Sequence, residues 1–140
     1  MTEEVRIPVE IAEEMVGHCA AGRPNEACGM LARNGSDIVK VFKMTNASAS
    51  PVRYSLDPKE QLGVYNALDD QGWDLGGVFH SHTRTEAYPS PTDVRKATED
   101  VPYLIVSLMT DPAEIRAYRI IKPSWDAETG EIVEVRVTRF

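Results

Sequence analysis

The sequence predicts an α/β fold, one domain over residues 1–140 in which a mixed β-sheet is flanked by helices. Three observations point there. Asp57-Pro58-x-Glu60 and Ser90-Pro91-x-Asp93 each set a capping side chain, a proline and an acid in the order that starts a helix. Short apolar runs of strand composition, such as residues 104–108, recur along the chain. The tight-turn pair Asn34-Gly35 joins two such runs into a hairpin. Strands interleaved with helices bury their apolar faces as layers. A length of 140 residues, 42% of them hydrophobic and 26% charged, suits one globular domain with a real core.

In chain order, residues 5–7 form a short strand, and Pro8 opens a helix to about residue 21. Ile11, Met15, Val16 and Cys19 make one buried stripe on it. His18 sits beside that stripe, where a core-edge histidine is favoured over a ligand or base. Gly22 to Asn25 ends the helix. Residues 28–32 and 37–43 are the two hairpin strands, the second carrying Ile38, Val39, Val41 and Phe42. Residues 45–50 are a polar loop. Its Asn46-Ala47-Ser48 has the form of a glycosylation acceptor but lacks an accompanying secretory signal, so it is discounted. A short strand is expected at 51–56, then a helix from the Asp57 cap to about residue 70, closed by Gly72. Gly76-Gly77 reads as a turn from which a strand leaves, and Ser90 starts a helix reaching about residue 98. Strands follow at 104–108, 115–121 and 131–140, with turns at 111–113 and 127–130. The sum is three helices and six or seven strands.

Composition excludes several classes. The net charge is −7, from 15 basic and 22 acidic residues, with no Lys/Arg cluster, so a nucleic-acid partner is not expected. No apolar run approaches the roughly 20 residues of a membrane span. The first six residues are acidic, without a signal-peptide core. Cys19 and Cys28 make no disulfide framework, so a reducing cytoplasm is expected. The oligomeric state is open, with a homodimer allowed.

The chemistry concentrates in residues 77–93. His80 and His82, two apart on a strand, point to one face. Asp93 enters from the start of the following helix. Two imidazoles and a carboxylate are the donors of a catalytic zinc with its fourth position open. A metal there lowers the pKa of water towards about 7 and polarises a carbonyl. Glu26, where a loop feeds a strand, is the candidate general base; alone it would read as a solvated loop acid. Cys28 beside it could be a nucleophile only with its own histidine and a lowered pKa, so a small buried strand cysteine is preferred. A cupin would need a glycine where Asp74 stands and a further histidine after His82. The Pro-Cys-x-x-Cys of zinc deaminases, a His-Glu-x-x-His and a glycine-rich phosphate loop are all missing.

Glu26 followed by His80-x-His82-x7-Ser90-x-x-Asp93 resembles the signature of the JAMM (MPN+) metalloprotease family. The resemblance implies an α/β/α sandwich like that of the zinc deaminases. It also implies one zinc per chain on His80, His82 and Asp93, a proton shuttle at Glu26, and Ser90 helping to hold an oxyanion. Loop 83–89, Asn46, Ser50-Pro51, Tyr54, Leu56-Asp57-Pro58 and residues 26–29 are similar to a bacterial branch of this family. The similarity extends over residues 24 to about 121. Members of that branch release cysteine from the C-terminal Gly-Gly of small ubiquitin-like sulfur carriers. The implied partner is such a carrier, whose thin tail would reach a recessed metal beside a sheet edge. Arg84 and Arg53 are candidates to meet a substrate carboxylate. Two alternatives stay open. One is a deubiquitinase-like isopeptidase, disfavoured because the chain has no room for ubiquitin-binding insertions. The other is a metal-free MPN scaffold, disfavoured because all three ligands are present.

Overall fold

The computed structural model describes residues 3–140; Met1 and Thr2, which begin the stretch expected to lack a leader, lie outside it. The elements are β1 (Glu4–Ile7), α1 (Val9–Ala21), β2 (Cys28–Asn34), β3 (Asp37–Met44), α2 (Pro58–Gln71), β4 (Asp74–His82), α3 (Pro91–Lys96), β5 (Tyr103–Ser107), β6 (Glu114–Ile121) and β7 (Glu131–Arg139). This is the expected mixed α/β architecture.

The strands run in the order β1-β3-β2-β4-β5-β6-β7 and close on themselves. β1 makes the closure. It pairs parallel with β7 from Glu4↔Arg136 to Ile7↔Arg139, and with β3 at Arg6↔Asp37. An ion pair of 2.8 Å from Arg6 Nε to Asp37 Oδ1 fastens that second seam. β4 and β5 are also parallel, joined through α3, and the remaining neighbours are antiparallel.

Alternation along the strands builds two cores. Ala12, Met15 and Cys19 of α1 pack with residues from all seven strands, among them Leu31, Phe79, Leu104 and Val135. The sheet thus curls around α1. On the other face, Val64 and Leu68 of α2 pack with Met30, Ala32, Met44, Val78 and Tyr103. β4 is covered on both faces and buried without a break from Gly76 to His82. Its alternation sends Phe79 to the α1 side and Val78 to the α2 side. His80 and His82 follow Val78, so they face the side where α3 begins.

The hairpin forms at Asn34↔Asp37, with Gly35 at φ 64 in the left-handed place. Four details depart from expectation. Residues 51–56 form no strand; a single bridge joins Asn46 to Leu56, because the Asn46 side chain takes the backbone groups of this loop. Gly76 and Gly77 are inside β4, not in a turn. A Cβ at Gly76 would stand 2.6 Å from Ile38 Cδ1, and one at Gly77 2.9 Å from Leu104 Cδ1. Close approach, rather than turning, selects glycine there. α3 stops at Lys96, since Thr98 and Glu99 donate their N–H groups to the Tyr103 hydroxyl at 3.0 and 2.9 Å. Finally, the closed sheet leaves no free edge among the described strands for a substrate tail to extend.

Glu60 does not complete a capping box on α2. Its carboxylate accepts from Thr45 N and Oγ1 at 2.7 and 2.9 Å, which ties the helix to the end of β3. Cys19 and Cys28 are free and buried. His18 is a core-edge residue whose Nε2 donates to the Cys28 carbonyl at 3.0 Å. No described helix is long and apolar enough to cross a membrane.

Candidate active site

α3 delivers the carboxylate through its cap. The Ser90 hydroxyl accepts from Asp93 N at 3.1 Å, and Asp93 Oδ2 accepts from Ser90 N at 2.9 Å. This reciprocal box turns Asp93 Oδ2 back towards β4. There it stands 3.1 Å from His80 Nε2 and 3.0 Å from His82 Nε2, and the two nitrogens are 3.2 Å apart. All three residues are buried.

Each imidazole is oriented differently. His82 Nδ1 lies 2.8 Å from the Glu86 carbonyl, which can only accept. That carbonyl fixes the Nδ1–H tautomer and leaves the Nε2 lone pair aimed at the cluster. His80 Nδ1 is buried with no hydrogen-bond partner among the described residues. Its ring plane is set by Tyr54, which stacks on it with centroids 4.3 Å apart at 20°.

The three donors fit a metal. Ligands around a tetrahedral zinc with bonds of about 2.0 Å stand about 3.3 Å apart. The observed edges of 3.0–3.2 Å approach that spacing. Desolvation would raise the pKa of Asp93, but hydrogen bonds from both histidines, the charge of His80 and the Ser90 N–H outweigh it and hold the carboxyl well below the usual range. Burial lowers the pKa of His80 despite Asp93. For His82 burial acts the same way, but Asp93 and the Glu86 carbonyl prevail and raise it.

Glu26 comes to the site from a non-strand segment leading into β2. Ala27 is clamped to Ser81, the residue between the histidines: Ala27 N donates to Ser81 Oγ at 2.9 Å and Ser81 N to Ala27 O at 3.0 Å. Glu26 is 5% exposed, and its Oε1 has no partner among the described residues. Burial pushes its carboxyl up to about 8, with Asp93 adding and His82 and Lys96 opposing. Glu26, His82, Ser90 and Arg84 line one cleft of about 310 Å³, walled by Pro51 and Val52 on one side and Thr83 and Thr85 on the other. Arg84 is exposed at that cleft. Arg53 is exposed on the loop behind Val52 and does not line the cleft; its carbonyl accepts from Asn46. Burial raises the Cys28 thiol to about 12, which leaves it a poor nucleophile.

Loop 83–90 is held by three successive carbonyls. Thr85 O accepts from Ser107 Oγ at 2.6 Å, Glu86 O from His82, and Ala87 O from the Tyr118 hydroxyl. Sequence reasoning missed Ser81, Ser107 and Tyr118 as supports. Their partners lie at least 22 residues away in the chain, and polar residues in apolar strands were the one available signal.

The family model for prokaryotic homologs of the JAB domain matches residues 8–121. The chain is 44% identical over 133 residues to the CysO-cysteine peptidase of Mycobacterium tuberculosis, covering 91% of this chain and 90% of that one. It is 33% identical to a probable TtuB-protein conjugate cleaving protease of Thermus thermophilus, over 71% of this chain and 67% of the relative. A protein of Desulfitobacterium hafniense solved in solution superposes with a TM-score of 0.83 at 32% identity, over 97% and 92% of the two chains. The histidine pair on β4, the capped aspartate of α3 and the buried glutamate before β2 are thus set in the fold of relatives alike over most of their length, and the chain belongs to the JAMM (MPN+) family, among the prokaryotic homologs of the JAB domain.

Proposed function

We propose that this chain is a zinc-dependent peptidase that hydrolyses the amide bond after the C-terminal Gly-Gly of a small ubiquitin-like sulfur carrier, releasing cysteine. The observation that carries the reading is the convergence of three buried donors, His80, His82 and Asp93, beside a cleft that Glu26 and Ser90 also line. The name of the mycobacterial relative supports the substrate class, and that of the Thermus relative supports ubiquitin-like conjugates more broadly.

One zinc per chain would be held by His80 Nε2, His82 Nε2 and an Asp93 oxygen. When bound, it supplies an acidified water and a Lewis acid for the scissile carbonyl. Glu26 takes one proton from the attacking water and returns it to the leaving amine, so amide and water become carboxylate and amine. Ser90 holds the developing oxyanion while its oxygen also caps α3. Arg84, at the cleft, meets the carboxylate of the released amino acid. The carrier tail enters between the Pro51–Val52 wall and loop 83–85.

Metal analysis after dialysis, paired with turnover of Glu26→Gln, tests this. The expected result is about one zinc per chain in both proteins, and a loss of roughly 10²- to 10⁴-fold in the rate of the variant. Full activity in the variant would remove Glu26 as base, and a chain that holds no zinc would return the scaffold reading. Arg84→Ala with unchanged turnover of the cysteine adduct would remove that contact.

A further inference from the structure

Asn46 lies behind the cleft and ties its Glu26 side to the loop that carries Pro51 and Val52. Its amide nitrogen donates to Glu26 O at 2.9 Å and Arg53 O at 3.0 Å, with a longer contact of 3.5 Å to Ser50 O. Its amide oxygen accepts from Ser48 N at 3.0 Å and Ser55 N at 3.1 Å. A short amide side chain carries two N–H donors and a carbonyl acceptor on separate atoms, and both capacities are used here. The loop it organises also turns through Ala49 at φ 45, a left-handed conformation that costs a non-glycine residue energy and persists where surrounding bonds impose it. Ala49 N donates to Asn46 O at 3.0 Å, inside the same turn.

This turn grips Glu26 by both backbone groups. Glu26 N donates to Ser50 O at 2.9 Å, and Glu26 O receives the Asn46 amide. No strand pairing covers Glu26, which precedes β2. Ala27 is fixed by Ser81, so the Asn46 turn is what remains to set Glu26 itself.

We propose that Asn46 is a positioning residue for the reaction: through its loop it fixes the backbone of Glu26 against the histidine pair, and with it the Pro51–Val52 wall of the cleft. The proposal rests on the reading of Glu26 as the proton carrier. The asparagine of the Asn46-Ala47-Ser48 tripeptide is thus engaged internally, its amide nitrogen turned towards the Glu26 carbonyl.

The test uses zinc-loaded wild type, Asn46→Ala, Asn46→Asp and Glu26→Gln. Amide hydrogen exchange by NMR and turnover of a sulfur carrier ending in Gly-Gly-Cys are both measured. Asn46→Asp keeps the two accepting contacts but cannot donate to Glu26 O. Both Asn46 variants are expected to speed exchange at the Glu26 amide about 10-fold or more, leaving the Ala27 amide within about 3-fold. Both are expected to lower kcat by roughly 10- to 100-fold with zinc content unchanged, the scale set by misplacing a reacting group by about 1 Å. Unchanged exchange at Glu26, or an Asn46→Asp variant with wild-type kcat, would overturn the proposal. The exchange readout decides the positioning claim even on a carrier that is not cleaved. Wild-type activity in Glu26→Gln would instead overturn the base assignment.

Discussion

The Glu26 carboxyl is buried, so ionising it works against the folded state. Its pKa is raised from 4.5 to about 8, burial being the main cause. Between those values the unfolded chain has released a proton that the folded chain keeps, so stability falls as pH rises through that window. Below it, both states are protonated and the penalty vanishes. In metal-free protein, Glu26→Gln is therefore expected to be more stable than wild type by about 2 kcal/mol at pH 8, discounted for residual solvent contact, and equal to it near pH 4. Thermal melts of the pair across that range check it. An equal difference at both ends would deny the raised acid. The grouping of His80, His82 and Asp93 was foreseeable because committed chemical types fall at fixed offsets, whereas Glu26 lies outside that spacing and only the fold brings it to the same cleft. What orients them was not foreseeable. The Glu86 carbonyl on His82 and the Tyr54 ring on His80 depend on tertiary approach, which spacing does not encode.

At the scale of elements, α3 is a short helix whose cap is also part of the site. Ser90→Ala removes the acceptor for Asp93 N and should cost about 1 kcal/mol. That corresponds to a fall in Tm of roughly 3 °C. Ser90→Thr keeps the cap and should restore the lost stability; a Ser90→Ala protein with wild-type Tm would show that the box contributes nothing. Loop 83–90 makes a second case. Tyr118→Phe strands the buried Ala87 carbonyl and is expected to destabilise by about 1–2 kcal/mol, read by denaturant unfolding. An unchanged midpoint would mean that the loop is held without it. Helix starts were readable because caps are local chemistry: Asp57 and Ser90 both accept as their patterns require. The segment 51–56 was misread as a strand because its composition does not say what its backbone pairs with. The Arg53 carbonyl and the Ser55 N–H meet one side chain, Asn46, and not a ladder.

The whole molecule is a sheet closed around α1, with the site at the C-terminal end of a strand buried on both faces. Layering was foreseeable from interleaved strands and helices, but closure was not, because β1 meets β7 across nearly the full chain length. Such a frame presents its donors already gathered, so metal should stabilise the fold by binding the native state alone. Stripping it with a chelator from protein held at about a thousandfold excess over Kd removes roughly 4 kcal/mol, a fall in Tm of about 10 °C that zinc reverses. A Tm indifferent to chelator and zinc would argue against a native-state metal site.

Metal-dependent release of an amino acid from a Gly-Gly tail is the proposed reaction, and intact mass spectrometry reads it on the carrier itself. Zinc-loaded protein is mixed with a sulfur carrier bearing C-terminal Gly-Gly-Cys. Loss of one cysteine residue from the carrier is expected, abolished by a chelator and restored by zinc. A carrier that keeps its full mass beside protein with zinc bound would contradict it.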